Sequence, residues 1–209
     1  MFRDLLDEVI QVVDSGLRTL TDTHQESFDN SKFPSEKELS PRNRRAATSI
    51  MRINHCGEVC AQALYEGQAL TARKPSVQRQ LKQAATEERE HLALCRARLN
   101  ELDANPSVLE PFFYAASVGI GAITGQLGDR VSLGFVEATE DEVCKHLDRH
   151  IAELNDDDER TKAMLESIRA DEAQHRLTAR DQGGMVFSKP IKAGMALAAK
   201  VMTRTTAIV

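Results

Sequence analysis

The chain lacks tryptophan altogether, has only two tyrosines and six prolines, and nowhere runs apolar for the roughly twenty residues needed to span a bilayer. Period-two alternation is equally hard to find, which removes sheet architectures and leaves an all-α fold. None of the four cysteines (Cys56, Cys60, Cys95, Cys144) forms Cys-x-x-Cys, and a chain of 209 residues does not need disulfides to stabilise its core. They read as buried or partly buried thiols of a reducing compartment. Cys56 and Cys60 stand i,i+4 and could grip a soft metal, but no further Cys or His completes such a site. The start MFRDLLDEVIQ has early acids and no apolar core, so no signal peptide is expected. A net charge of −5 argues against nucleic acid as a partner of the whole chain, and no nucleotide-binding glycine motif is present.

What is present is helical. The composition, 41% apolar and 28% charged, suits a helical protein with much wetted surface. Residues 2–20 carry Leu5, Ile10, Val13 and Leu17 at helical spacing, and residues 21–42 read as a polar linker. Helices are predicted over about 42–73, 76–102, 129–154 and 158–180, with Pro75 starting the second and Gly183-Gly184 ending the last. Gly57 and Gly67 inside the first of these each cost roughly 1 kcal/mol against Ala, so close helix approach or room beside a site is the expected reason. Residues 111–128, PFFYAASVGIGAITGQLG, lack charge between Glu110 and Asp129, and read either as a buried core helix or as a segment that dips into the membrane interface or lines an apolar access channel. Residues 185–209 carry Lys189, Lys192, Lys200 and Arg204 and no acid, so this tail is +4 and the remainder −9. Such a basic amphipathic segment fits a membrane surface or a solvated cap. The organisation is therefore an N-terminal helix and linker (1–42), a bundle (43–182) that includes 111–128, and a tail (183–209).

One motif occurs twice. Glu88-x-x-His91 and Glu172-x-x-His175 each put a carboxylate and an imidazole on one helix face. Each is preceded by a lone acid, Glu58 thirty residues before Glu88 and Glu140 thirty-two before Glu172. With turns at Pro75 and at Asn155–Asp158, each lone Glu returns to the height of its Glu-x-x-His. Two helical hairpins packed face to face then converge four carboxylates and two imidazoles. This is the ligand set of ferritin-like four-helix bundles with a di-metal carboxylate centre. Two divalent ions would balance four carboxylates whose burial is otherwise costly, and hard oxygens with two imidazoles suit iron or manganese. Glu137 is the rival of Glu140 for the third position.

Ligand imidazoles need acceptors behind them. Asp171 is the candidate to orient a histidine, and Glu87 occupies the equivalent place before Glu88. His146 and His55 are weaker candidates beside the ligands. His24 and His150 are expected on the surface.

These residues resemble the demethoxyubiquinone hydroxylase family, the ferritin-like di-iron enzymes of ubiquinone biosynthesis. His55-Cys56-Gly57-Glu58 with Tyr65-Glu66-Gly67-Gln68 is similar to the family's first-ligand helix, and Glu88-Arg89-Glu90-His91-Leu92 to its second motif. Glu140, six before His146, and Asp171-Glu172-Ala173-Gln174-His175 complete the set. The resemblance covers about residues 43–205; Leu147 stands where some members have Tyr. It implies Glu58, Glu88, His91, Glu140, Glu172 and His175 as ligands of two iron ions, with manganese accepted by the same shell. It further implies O2-dependent hydroxylation of 2-polyprenyl-3-methyl-6-methoxy-1,4-benzoquinol. The electrons would come from a donor such as NADH acting through the quinone. The location implied is peripheral, on the cytoplasmic face of a bacterial-type cell membrane, and a homo-oligomer is compatible. The competing readings are a ferritin-like ferroxidase or peroxidase and a metal-free membrane-binding bundle.

Overall fold

In a computed structural model the described residues are 2–21 and 30–207, with side-chain surroundings described for 6–21 and 31–207. His24 lies outside them. Seven α-helices and a short 3-10 turn occur among these residues, and no strand. They are α1 (Phe2–Thr21), α2 (Pro41–Thr71), α3 (Pro75–Glu101), α4 (Glu110–Gln126), α5 (Asp129–Glu153), α6 (Glu159–Asp181) and α7 (Lys189–Thr206).

Local chemistry sets the boundaries. Proline stands in the first turn of α2, α3, α4 and α7, where its missing N–H costs nothing. Ser40 caps α2 by accepting from Asn43 N at 3.2 Å, and Asp158 caps α6 by accepting from Thr161 N at 3.1 Å. Gly128, at φ 117°, makes the corner between α4 and α5 that a side chain would strain.

The hairpins α2/α3 and α5/α6 form the bundle, and α4 lies along the outside of α2. Two apolar layers of the core flank its middle, beside a third, smaller cluster of Val59, Ala63, Leu92 and Tyr114. One gathers Met51, Leu94, Leu99, Leu147, Met164 and Ile168. The other gathers Leu64, Leu81, Ala85, Leu133, Val136 and Ala179. On every bundle helix the candidate ligands fall between the residues of these two layers, so the fold buries a polar stratum inside an apolar column. One end of the column is fastened by Arg98, which is completely buried and donates to Thr161 Oγ1 at 2.8 Å, Glu101 at 2.9 Å, Asp158 at 3.1 Å and also Glu36. Breaking such a buried ionic cluster on one side costs about 3–5 kcal/mol.

Segment 111–128 is neither wholly buried nor wholly free. As α4 it presses Tyr114, Gly121, Thr124 and Gly125 against the bundle and leaves Phe112, Ile120, Ile123 and Leu127 in solvent. Glycines permit the approach. A Cβ on Gly67 would lie 2.2 Å from the Val118 carbonyl, and one on Gly121 would lie 2.2 Å from the Leu64 carbonyl. Gly57, by contrast, has nothing within 4 Å of such a Cβ, so no close approach explains it.

Because backbone cannot yield as a flexible side chain can, Gly121→Ala should separate α4 from α2 and cost about 1–3 kcal/mol. Thermal unfolding should fall by several degrees; an unchanged midpoint would refute the close-packing account.

Candidate metal centre

Each ligand candidate is where it is because its helix enters the polar stratum at mid-length. Glu58, Glu88, His91, Glu140 and Glu172 are buried, and the His175 side chain is 12% exposed. Glu58, Glu88, His91 and Glu172 offer ligand atoms that all lie within 4.8 Å of one another, a group that could hold a metal ion. His91 Nδ1 lies 3.0 Å from Glu172 Oε1, 3.2 Å from Glu88 Oε2 and 3.7 Å from Glu58 Oε2. His175 Nδ1 lies 3.0 Å from Glu172 Oε2 and 3.4 Å from Glu88 Oε1. Both imidazoles thus turn Nδ1 inward onto the two carboxylates of the Glu-x-x-His repeats. Glu140 joins from α5 through its interaction with Glu172.

The residues fit a divalent ion. Atoms bound about 2.0–2.2 Å from one ion lie roughly 3 Å apart, close to the spacings found here. Glu140 Oε2, Glu88 Oε1 and Glu172 Oε1 are buried without a well-aligned hydrogen bond, although the last two face imidazole nitrogens. Buried polar atoms normally find partners, and a cation would supply them.

The outward nitrogens reveal an exchange between hairpins. Nε2 of His91, on α3, meets Asp171 of α6 at 3.3 Å, while Nε2 of His175, on α6, meets Glu87 of α3 at 2.8 Å. Asp171 and Glu87 therefore each hold the histidine of the opposite hairpin, leaving its Nδ1 free to face the centre. Burial opposes ionisation of Glu87, but bonds from Gln83 and His175 hold its pKa below the usual range.

Tyr65, fully buried on α2, donates its hydroxyl to Glu140 Oε1. Tyr65 stands seven residues, two turns, after Glu58 on the same helix face, the sequence signal that places it beside the ligand candidates. Glu137 instead meets Lys192 of α7 at 3.3 Å. The structure does not bring His55 or His146 to the carboxylates. His55 Nδ1 pairs with buried Glu110 of α4 at 2.7 Å. His146 accepts from Arg149 at 2.9 Å and meets the ring of His150 at 4.0 Å between centroids. His150 is not on the surface as expected: it is buried, because Asn54 on α2 satisfies its Nδ1 at 3.0 Å. Burial lowers its pKa to about 3. The four cysteines are free thiols, and none belongs to the candidate metal group.

Electrostatics of the metal-free site show what a cation must displace. Burial, together with repulsion from Glu172, pushes the Glu140 carboxyl well above its usual range, and burial does the same to Glu58. Burial alone would lower His91 and His175, yet the hydrogen bonds their N–H groups donate to the surrounding carboxylates raise both, His175 to about 11. Burial likewise opposes ionisation of Glu172, but bonds from His175 and His91 bring it down to about 2. Protons on imidazoles and on Glu58 and Glu140 take the place of metal charge.

The chain matches the family model described as "Ubiquinone biosynthesis protein COQ7" over residues 45–206. Proteins named 3-demethoxyubiquinol 3-hydroxylase from Azotobacter vinelandii and Stutzerimonas stutzeri are each 50% identical to it over 202 residues, covering 96% of this chain and 94% of theirs. The protein of that name from Pseudomonas aeruginosa is 49% identical over 203 residues, with the same coverage. Among solved structures, a dodecameric thioferritin, the bacterioferritin-related protein from Bacteroides fragilis, aligns with a TM-score of 0.56 at 21% identity, covering 66% of this chain and 84% of that one. That likeness is one of fold and bears out the ferritin-like expectation.

Because ligand groups must lose these protons, metal binding should release up to one each from Glu58, Glu140, His91 and His175. The raised pKa values favour the protonated, metal-free state, so affinity should fall as pH drops below about 11, where His175 takes up its proton, and keep falling through neutrality. Calorimetric titration of ferrous ion in buffers of different ionisation enthalpy checks this; metal uptake without proton release would contradict it.

Proposed function

The chain belongs to the ubiquinone biosynthesis protein COQ7 family, and on that premise we propose that it is a di-iron monooxygenase. It hydroxylates the ring of 2-polyprenyl-3-methyl-6-methoxy-1,4-benzoquinol with O2. Sequence identity of about one half across nearly the full length of the named hydroxylases supports the reaction. The observation that carries the chemistry is the buried carboxylate and imidazole stratum held between two apolar layers.

Glu58, Glu88, His91, Glu140, Glu172 and His175 would hold two iron ions. When bound, ferrous iron supplies electrons to O2 and acts as Lewis acid and template. Overall, a ring C–H becomes C–OH, the second oxygen atom leaves as water, and two electrons and two protons are drawn from a donor and solvent. Either the quinol or a nicotinamide acting through the quinone fits that role. The protein's own groups do the rest. Asp171 and Glu87 fix the tautomers of His91 and His175. Tyr65 donates to Glu140 and holds one of its oxygens in place. The flanking apolar layers keep bulk water from the centre. The His55–Glu110 pair fastens the first turn of α4 to α2.

A polyprenyl substrate resides in the bilayer, so the enzyme must meet it there. No helix among the described residues is long and apolar enough to cross a membrane. We assign attachment to α7, whose cationic side chains accompany exposed Ile191, Leu197 and Val201, and to the outward residues of α4. In this reading residues 43–182 carry the chemistry, and 1–42 and 183–209 are attachments.

Iron-loaded protein given a demethoxyubiquinol analogue, a reductant and ¹⁸O2 should yield a quinone one oxygen heavier that carries the label. Rapid ferrous oxidation with no oxygenated product would move the assignment to a ferroxidase.

A further inference from the structure

Helix α1 precedes the family-matched segment, and it is mounted in an unusual sense. Leu20 packs against the cluster of Val59, Ala63, Leu92 and Tyr114, and the rest of the helix's attachment to α2 and α3 includes a row of polar bonds. Ser15 Oγ donates to Glu66 at 2.5 Å, and Thr19 Oγ1 donates to Gln62 at 3.0 Å. Glu8 accepts from Gln78 at 3.0 Å and from Lys82 at 3.2 Å. Gly16 lies against the ring of Tyr114, close enough that a Cβ there would stand 2.5 Å from it, and the Tyr114 hydroxyl donates to the Val12 carbonyl at 3.0 Å. The opposite side is apolar. Leu6, Val9, Ile10, Val13 and Leu17 recur at i, i+3, i+4, i+7 and i+11, one continuous stripe, and each is 41–59% exposed. A helix serving only as a cover for the bundle would face the other way.

We propose that α1 is an interfacial helix that seats its apolar stripe in the lipid bilayer. Three observations favour lipid as the occupant. Polar bonds to α2 and α3 fix the helix with the stripe outward, so no rotation is required on binding. Helix α1 leans on α4, which turns Phe112, Ile120, Ile123 and Leu127 to solvent, so two adjacent helices offer apolar surface well beyond single exposed residues. The substrate class proposed above is itself lipid-soluble, and to that extent the inference rests on that reading.

The charge of α1 sets the mode of binding. With Arg3 and Arg18 against Asp4, Asp7, Glu8 and Asp14, the helix has a net charge of −2, whereas the tail from 185 is +4. Seating α1 therefore draws on apolar burial and gains nothing from anionic headgroups, while α7 is suited to them. The two helices would bind through separable forces, one indifferent to salt and one screened by it.

The test uses the full chain without metal, so it reads no turnover and does not depend on the proposed reaction. Partitioning is measured by flotation on vesicles of phosphatidylcholine alone and of phosphatidylcholine with phosphatidylglycerol, at low and high salt. The wild type should bind the neutral vesicles with little salt dependence. The variant Val9→Ser/Val13→Ser/Leu17→Ser should bind them roughly a hundredfold more weakly, keep its helical spectrum, and retain salt-sensitive binding to the anionic vesicles. Unchanged binding of the variant to neutral vesicles would overturn the proposal. So would a fall in molar mass by light scattering in the variant, which would make a second copy of the chain the occupant of the stripe.

Discussion

Four carboxylates at one height inside an apolar column are the constraint on which the rest depends. Taking even one such charge out of water costs several kcal/mol unless it is compensated. Without metal, the site compensates with protons: on Glu58 and Glu140, whose pKa values are raised, and on His91 and His175, which the carboxylates raise in turn. With metal, cations take over the same duty. The stratum therefore needs compensating positive charge in either state, and the divalent ions of the proposed centre would supply it.

Holding such a centre requires the hairpins to be locked against each other, and the locks are themselves polar. Asp171 and Glu87 reach across between α3 and α6 to opposite histidines. Tyr65 links α2 to Glu140 of α5. Arg98, buried at one end, ties α3 to the cap of α6 and to the segment before α2. The apolar layers fill the space between these ties. Outside the bundle, α1, α4 and α7 leave apolar side chains in solvent, which suits the lipid-soluble substrate proposed above.

The bundle and the meeting of its buried carboxylates and imidazoles at one height were legible because they rest on local periodicity and on hairpin arithmetic. A Glu-x-x-His pair and a lone Glu at matched height need only the helical rise to meet. The observed helix limits stay within a few residues of those expected, since Pro41, Pro75 and Pro111 mark starts through backbone chemistry. What the sequence concealed depends on contacts between hairpins. His150 is buried only because Asn54 of another helix accommodates it. His55 is drawn to Glu110 on α4, away from the carboxylates. The exchange of Asp171 and Glu87 between histidines follows from the pairing of α3 with α6. The sense of α1 was hidden too: periodicity reveals an apolar stripe but not the direction in which it points, which Ser15 and Thr19 decide through Glu66 and Gln62.

The most direct test of the charge-balancing account is the number of ferrous ions bound per chain, measured by anaerobic equilibrium dialysis with metal analysis on the wild type and on Glu172→Ala. The account predicts two ions per wild-type chain and a loss of iron in the variant, with its helical spectrum retained. A folded wild type that binds no iron, or a variant that keeps its full complement, would contradict it.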